Sequence, residues 1–243
     1  MPFSRKAARL VVAVLIYSRL NALAATDPEI DRLLKKLPEP EKLIHADERV
    51  LRVNDPALRD PLIKQIEAAE TDKKSKHTLE LARQLATRYP SSAVANYYAG
   101  YFASSQNRYA EAAASYQRAL KIQPRFVVAH FCLAVAEWHQ GHFNGALQHV
   151  REVTKLEPKA AGGWVARSIC AEQVGAYQES VIAARRLVEL VPRQPAAWVR
   201  LAIAETNVGN NNGGVRAWNQ AVALQGSSKQ SGTKKTAAKK KSH

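Results

Sequence analysis

The sequence predicts an all-α fold of about five stacked helical hairpins, and three observations lead to this class. Prolines recur every 34 residues, at positions 56, 90, 124, 158 and 192. Glycines recur at the same spacing, at positions 141, 175 and 209. The composition, with 46% hydrophobic and 23% charged residues, is that of an ordinary soluble helical domain. A fixed period of this length indicates a chain built from repeated structural units.

Each interval between two of these prolines reads as helix, turn and helix. The proline marks the end of the second helix, because proline has no N–H to donate and its ring clashes with the preceding turn. The glycine marks the turn between the two helices, since glycine readily adopts the left-handed conformation that ends a helix. Asn107 holds the same place one repeat earlier, and asparagine is the next most suitable residue there. Every repeat is therefore predicted to be a helical hairpin.

The residues within these hairpins resemble the tetratricopeptide repeat. The segment "NRYAEAAASYQRALKIQP" carries the second-helix half of that pattern, in Tyr109, Ala112, Tyr116, Ala119 and Pro124. The resemblance covers residues 59–226 and implies a right-handed α-α superhelix with a concave inner surface, in which neighbouring hairpins complete each other's core. The predicted repeats are residues 59–92, 93–126, 127–160, 161–194 and 195–226, of which the first is the most degenerate.

The first-helix half of the pattern is less uniform. Trp164 and Trp198 occupy its tryptophan position and are expected to be buried, while Asn96 and His130 replace tryptophan in two other repeats. The four repeats from residue 93 onward also have a small residue after their leucine position, which suits close helix approach: Gly100, Ala134, Ser168 and Ala202. In the last repeat, residues 213 and 214 are both glycine where the second helix should start, so we expect that helix to fray at its beginning.

The first 24 residues differ in kind from the repeats. Arg5, Lys6 and Arg9 precede the apolar run "LVVAVLIY", and "ALA" ends at Ala24, which is the order of a secretory signal peptide cleaved near Ala24. The run is too short to span a bilayer. We expect an exported protein, periplasmic or envelope-associated; because Arg19 is unusual in a signal peptide, an uncleaved anchor and a cytoplasmic protein stay open. The segment 25–58 is predicted to form capping helices or a linker.

Residues that could carry chemistry are few. The sequence has no glycine-rich phosphate loop, no nucleophile elbow, no Cys-x-x-Cys pair and no His-Glu-x-x-His. His139, His142 and His149 cluster in sequence, but His149 lies about two helical turns further on and no acid or thiol completes a metal shell. Cys132 and Cys170 are expected to be small buried thiols without a disulfide. We therefore expect no enzyme activity, cofactor, metal or small-molecule substrate.

The resemblance implies a groove lined by fixed positions of each first helix. Apart from Arg200, these positions carry apolar and aromatic residues: Tyr97, Tyr98, Tyr101, Phe131, Val135, Trp138, Val165, Ile169, Val199 and Ile203. The Lys and Asn side chains that clamp a terminal carboxylate in chaperone-binding members of the family are absent. We therefore expect an extended or helical protein partner held by aromatic anchors. The alternative is that these residues form core, as apolar residues at helical spacing often do.

The tail "SSKQSGTKKTAAKKKSH", residues 227–243, carries six lysines, no acid and no apolar residue larger than alanine. Since it has no large apolar side chain whose burial could offset the loss of conformational entropy on ordering, we expect it to be disordered. Its lysines lead to a second hypothesis, non-specific binding of nucleic acid, anionic lipid or a cell-surface polymer, through Lys234, Lys235, Lys239, Lys240 and Lys241. The alternative is an extension that keeps the protein soluble.

Overall fold

The computed structural model describes residues 55–71 and 75–239, and within them the fold is entirely helical. A 3₁₀ turn at Pro56–Arg59 precedes ten α-helices. These are α1 (Pro61–Thr71), α2 (Ser75–Arg88), α3 (Ala93–Ser105), α4 (Tyr109–Ile122), α5 (Val127–His139), α6 (Phe143–Leu156), α7 (Ala161–Gln173), α8 (Tyr177–Leu190), α9 (Pro195–Asn207) and α10 (Asn211–Lys239). The predicted all-α class is confirmed for this part of the chain. The predicted signal peptide and the segment 25–54 lie outside it.

The helices alternate with the proline and glycine positions seen in the sequence. The second helices α2, α4, α6 and α8 each end two residues before one of the prolines. The turns inside four hairpins contain a left-handed residue, with φ of 60° at Asn107, 79° at Gly141, 78° at Gly175 and 80° at Gly209. The chain reversals therefore have the local cause that the sequence predicts.

The chain divides into two compact units. The described residues of the first unit are 55–71 and 75–163, and those of the second unit are 164–239. In the first unit, consecutive helices pack on each other, from the pair α1–α2 to the pair α5–α6. Its core centres on fully buried large side chains that include Tyr116, Phe126 and Leu133. In the second unit, α8 packs on α9 and α9 packs on α10. Small and branched residues such as Val181, Ala184, Ala204 and Ala221 fill the interior there.

A side-chain hydrogen bond ties each of three first helices to the proline that precedes it. Asn96 Nδ2 donates to the Pro90 carbonyl at 3.1 Å. The equivalent bonds run from His130 Nε2, at 2.9 Å, and from Trp198 Nε1, at 2.8 Å, each to the proline six residues earlier. Asparagine, histidine and tryptophan have an N–H donor in common. The replacements at the tryptophan position thus preserve this bond, although Trp164 and Trp198 are half-buried instead of fully buried.

The last helix differs from the sequence prediction at both ends. It begins at Asn211 and includes both glycines, whereas a frayed start was predicted. A Cβ at Gly214 would lie 2.5 Å from Thr206 Oγ1 and 3.2 Å from the Ala202 carbonyl oxygen, so glycine lets α10 approach α9 closely. The helix then continues to Lys239, whereas the sequence predicts a disordered tail from residue 227. Alanine, lysine and glutamine favour helix, and no proline interrupts this stretch.

Across the part of the chain that the structure describes, no helix has both the length and the apolar character needed to cross a membrane.

Candidate functional site

The predicted groove residues on α3 divide between core and surface. Tyr97 is only 8% exposed, and its ring centroid lies 5.8 Å from that of Tyr116 and 5.2 Å from that of Phe126. Tyr98 is also buried and stacks against Phe102. These two tyrosines belong to the core of the first unit, which favours the core alternative for both positions. Since α3 carries apolar residues around most of its circumference, spacing alone did not single out its open side.

Tyr101 is the partly exposed member of this group. Its ring stacks on Tyr97 with 6.3 Å between centroids and meets Phe102 edge to face at 4.9 Å. The residue has intermediate exposure, and it packs against the buried core cluster of the first unit. Tyr101 is thus an aromatic side chain held from one side by other rings, with part of its surface accessible.

The predicted groove residues on α5 are all buried. Phe131, Val135 and Trp138 keep less than a tenth of their surface exposed. Trp138 packs edge to face on Phe143, at the start of α6, with 5.0 Å between ring centroids. These three side chains are packing residues in this structure, which favours the core alternative for α5.

In the second unit, the cation predicted for the groove, Arg200, is one member of a buried ion pair. Arg200 is buried, and its guanidinium contacts the Glu172 carboxylate. Arg200 Nε also donates to Ser168 Oγ at 2.9 Å, and Ser180 Oγ donates to Glu172 Oε1 at 2.9 Å. The packing of Arg200 therefore favours a structural role over the predicted groove contact. Of the other predicted positions in this unit, Ile169 is buried and Ile203 keeps intermediate exposure.

A signal for this buried polar cluster is present in the sequence. Ser168 and Ser180 stand at repeat positions where the two preceding repeats have only glycine or alanine. A hydroxyl at two such positions of facing helices requires a hydrogen-bond partner when it is buried. Comparing the repeats position by position would therefore have predicted a further polar group between the two facing helices.

The histidines that cluster in sequence separate in the structure. His139 stacks on Tyr109 with 4.2 Å between ring centroids and an interplanar angle of 6°. His142 is exposed, and His149 meets His130, which the sequence search did not include. In the regions that the structure describes, no group of three or more His, Cys, Asp or Glu side chains could hold a metal ion.

Both cysteines are buried free thiols, as the sequence predicts. Burial raises the pKa of Cys132 to about 12, so this thiol stays protonated at neutral pH and is a poor nucleophile. Of the lysines assigned to polyanion contact, Lys234, Lys235 and Lys239 lie on α10. The last two, at positions 240 and 241, lie outside the described residues.

Comparison with known proteins identifies repeats in the middle of the chain. A family described as "TPR repeat" matches residues 104–141, and one described as "Tetratricopeptide repeat" matches residues 133–195. No curated protein matches the sequence. Solved structures do match the fold, at identities that show the fold alone.

Three of these structures illustrate the likeness. MamA from Desulfovibrio magneticus RS-1, from residue 41 to its end, is 13% identical with a TM-score of 0.63, and the match covers 68% of this chain and 94% of that one. A second MamA structure is 11% identical with a TM-score of 0.65, covering 70% and 92%. YrrB, described as a TPR protein with an unusual peptide-binding site, is 16% identical with a TM-score of 0.61, covering 68% and 85%.

Proposed function

Because this chain is a tetratricopeptide repeat protein, we propose that it is a non-enzymatic scaffold that binds a protein partner through α3 of its first unit. The tetratricopeptide fold supports a role in protein–protein interaction. The contact that we propose centres on Tyr101, the aromatic residue of the predicted groove that keeps part of its surface accessible in this unit.

The packing of Tyr101 is the observation that carries this proposal. Tyr97 and Phe102 contact its ring, so its orientation is set before any partner arrives. An aromatic side chain that is already held in place loses little conformational freedom on binding, and tyrosine is enriched among the residues that dominate binding energy. Tyr97 and Phe102 then act as support for the contact.

The chemistry around Tyr101 favours an apolar segment of the partner. Its described ring contacts on α3 are to aromatic residues. The cation predicted for the groove, Arg200, lies in the other unit, where it forms an ion pair with Glu172. A leucine, methionine or aromatic side chain on an extended or helical segment would complement the ring. The signal-peptide pattern of residues 1–24 supports an envelope-associated location for this partner.

A photoreactive residue at position 101 tests the proposed contact. Benzoylphenylalanine in place of Tyr101 should crosslink a partner in the native host, because the ring lies at the proposed interface. The control carries the same residue in place of Tyr177, which is 44% exposed and begins α8. The captured protein must then bind the purified wild-type chain. Equal crosslinking at both positions, or a captured protein that does not bind when purified, would contradict the proposal.

The lysine-rich end of the chain supports a second candidate function, binding of a polyanion. Residues 227–243 hold six lysines and no acid, and α10 continues through Lys239. Lysines without interleaved aromatic residues contact phosphates but do not recognise bases, so such binding would show no sequence preference. A variant chain that ends at Gly226 lacks these lysines but keeps α3, so it distinguishes polyanion binding from binding of the protein partner.

A further inference from the structure

Helix α10, in the second unit, has an apolar stripe along one side. Val215 and Val222 are 59% and 49% exposed. Trp218 lies between them; it packs against the buried residues Val199 and Ala221 and keeps part of its own surface exposed. Positions 215, 218 and 222 are three and four residues apart, so they share one side of the helix. We call these three residues the α10 stripe.

The same repeat positions are buried in the second helices of the two preceding repeats. In α8 and in α6, which lie one and two repeats earlier, the three corresponding residues all belong to the interior: Val181, Ala184 and Val188, and Leu147, Val150 and Thr154. The α10 stripe therefore stands at positions that these repeats use for packing, although two of its three residues are exposed.

In the second unit, the first helix of the following hairpin packs on these positions. Val181 and Ala184 of α8 form a buried cluster with Ala204 of α9, and Leu201 and Val208 of α9 pack against that cluster. The corresponding helices of the first unit, α4 and α5, also share one core cluster. Among the described residues, no helix follows α10 to cover its stripe in the same way.

The residues after the stripe do not supply such a helix. The next step of the proline spacing falls at Gly226, and α10 continues through this residue to Lys239. Residues 227–239 also contain no apolar side chain larger than alanine. They therefore cannot provide the apolar contacts that Leu201 and Val208 make on α8.

The charge near the stripe favours an acidic occupant. Arg216 is exposed and follows Val215 directly, and residues 206–243 contain seven Lys and Arg residues but no Asp or Glu. A dimer of two such faces would bring like charges together, which disfavours a second copy as the occupant. The α8–α9 pair has the complementary arrangement, since Glu205 of α9 forms an ion pair with Arg185 of α8 at 2.7 Å.

We propose that the α10 stripe is a docking site for an acidic amphipathic helix of a partner protein, which packs on α10 as the first helix of a further hairpin. This helix has apolar residues at the spacing of Leu201, Ala204 and Val208, and it has carboxylates beside them that pair with Arg216. Amphipathic helices commonly bind through anchors at this kind of spacing. The contact lies in the second unit and does not depend on the contact proposed at Tyr101.

A synthetic helical peptide tests the proposal on the full-length chain. The peptide has the 13-residue length of α9 and consists of alanine and glutamate, with leucine, alanine and valine at the spacing of residues 201, 204 and 208. Fluorescence anisotropy of the labelled peptide should show saturable binding to the wild type. Binding to the double variant Val215→Asn, Val222→Asn should be weaker by roughly tenfold or more, because most of the apolar contact is lost.

The matched control for the double variant is Ile182→Asn. Ile182 is 61% exposed, but the corresponding residues of the other repeats are exposed as well, so this position is not a packing position. Ile182→Asn should bind the peptide as the wild type does. Equal binding by the double variant and the control, or no binding by the wild type, would overturn the proposal.

A second peptide tests the charge of the occupant. With glutamine in place of every glutamate, the peptide should bind more weakly than the acidic one, and its binding should depend less on salt. Equal affinity of the two peptides at low salt would overturn the assignment of an acidic helix.

The remaining occupants give different results without any peptide. If the double variant is less stable to denaturant than expected for two exposed positions such as Ile182, another part of this chain already covers the stripe. If sedimentation shows wild-type dimers that the double variant does not form, a second copy covers it. Either result would overturn the proposal.

A measurement on the wild type needs no variant to be folded. In the ¹⁵N-labelled chain, the indole N–H resonance of Trp218 should shift when the acidic peptide is added, because this ring lies in the middle of the stripe. Trp164, which is also partly exposed, is the reference and should not shift. A shift at Trp164 without one at Trp218 would overturn the proposal.

Discussion

Arg200 forms an ion pair with Glu172 inside the second unit, and the two side chains are only 4% and 6% exposed. Ser168 and Ser180 supply further hydrogen bonds, one to each member of the pair. An ion pair of this kind adds little stability relative to apolar residues, because both charges lose their hydration. Removing one partner is costly, however, since it leaves the other charge buried and uncompensated.

Replacing Arg200 with Met should therefore lower the free energy of unfolding by about 3–5 kcal/mol. The double variant Arg200→Met, Glu172→Leu should recover most of this loss, because no buried charge is left. Denaturant unfolding at neutral pH measures both. Arg186→Met, which breaks an exposed pair with Glu189, is the control and should cost less than about 1 kcal/mol. A loss at Arg200 no larger than that at Arg186 would show that the pair is not buried as described.

Gly100→Ala should destabilise the first unit, although alanine is the better helix former by about 1 kcal/mol. The added Cβ would lie 2.8 Å from the ring of Tyr116, which is fully buried and cannot move without disturbing the core. Overpacking of this kind costs about 1–3 kcal/mol. The next repeat has alanine and valine at the two corresponding positions, 134 and 150.

A double-mutant cycle checks this reasoning. In a Tyr116→Val background the ring is absent, so Gly100→Ala should be neutral or stabilising. The two substitutions should therefore couple by about 1 kcal/mol or more in unfolding measurements. If Gly100→Ala stabilises the wild-type chain, the close contact between the glycine and the ring is refuted.

Polyanion binding, if it occurs through residues 227–243, should depend steeply on salt. Six lysines that all engage phosphates of duplex DNA give a slope of about −5 in a plot of log affinity against log salt concentration. A chain that ends at Gly226 should lose this binding. Titrating both chains with DNA, anionic vesicles and an acidic polysaccharide makes the comparison. Equal binding by both chains would place the contact elsewhere.

The hairpins could be predicted from sequence because their causes are local. A proline ends a helix and a left-handed residue reverses the chain wherever they stand, so the spacing of prolines, Asn107 and the three glycines gave both helix ends and turns. The hydrogen bonds to the proline carbonyls could also be inferred from sequence, since Asn96, His130 and Trp198 share a repeat position and each has an N–H donor.

The candidate site was less predictable because exposure depends on which helices pack together. Tyr97 and Tyr101 lie one turn apart on α3 and read alike in sequence, yet Tyr97 contacts Tyr116 and Phe126, whereas Tyr101 lies at the edge of that cluster. The partner of Arg200 is 28 residues away, and nothing in the local pattern connects it with Glu172. Such pairings follow from tertiary packing and not from helical period.

The binding affinity of the captured partner for Tyr101→Ala, beside that for Tyr177→Ala, tests the central claim most directly. Titration calorimetry with purified proteins should show binding weakened by about 2 kcal/mol or more for Tyr101→Ala, as for an aromatic anchor, and unchanged for Tyr177→Ala. Helicity and the free energy of unfolding are measured alongside to show that both variants are folded. Unchanged affinity of a folded Tyr101→Ala variant would contradict the claim that this chain binds its partner through α3.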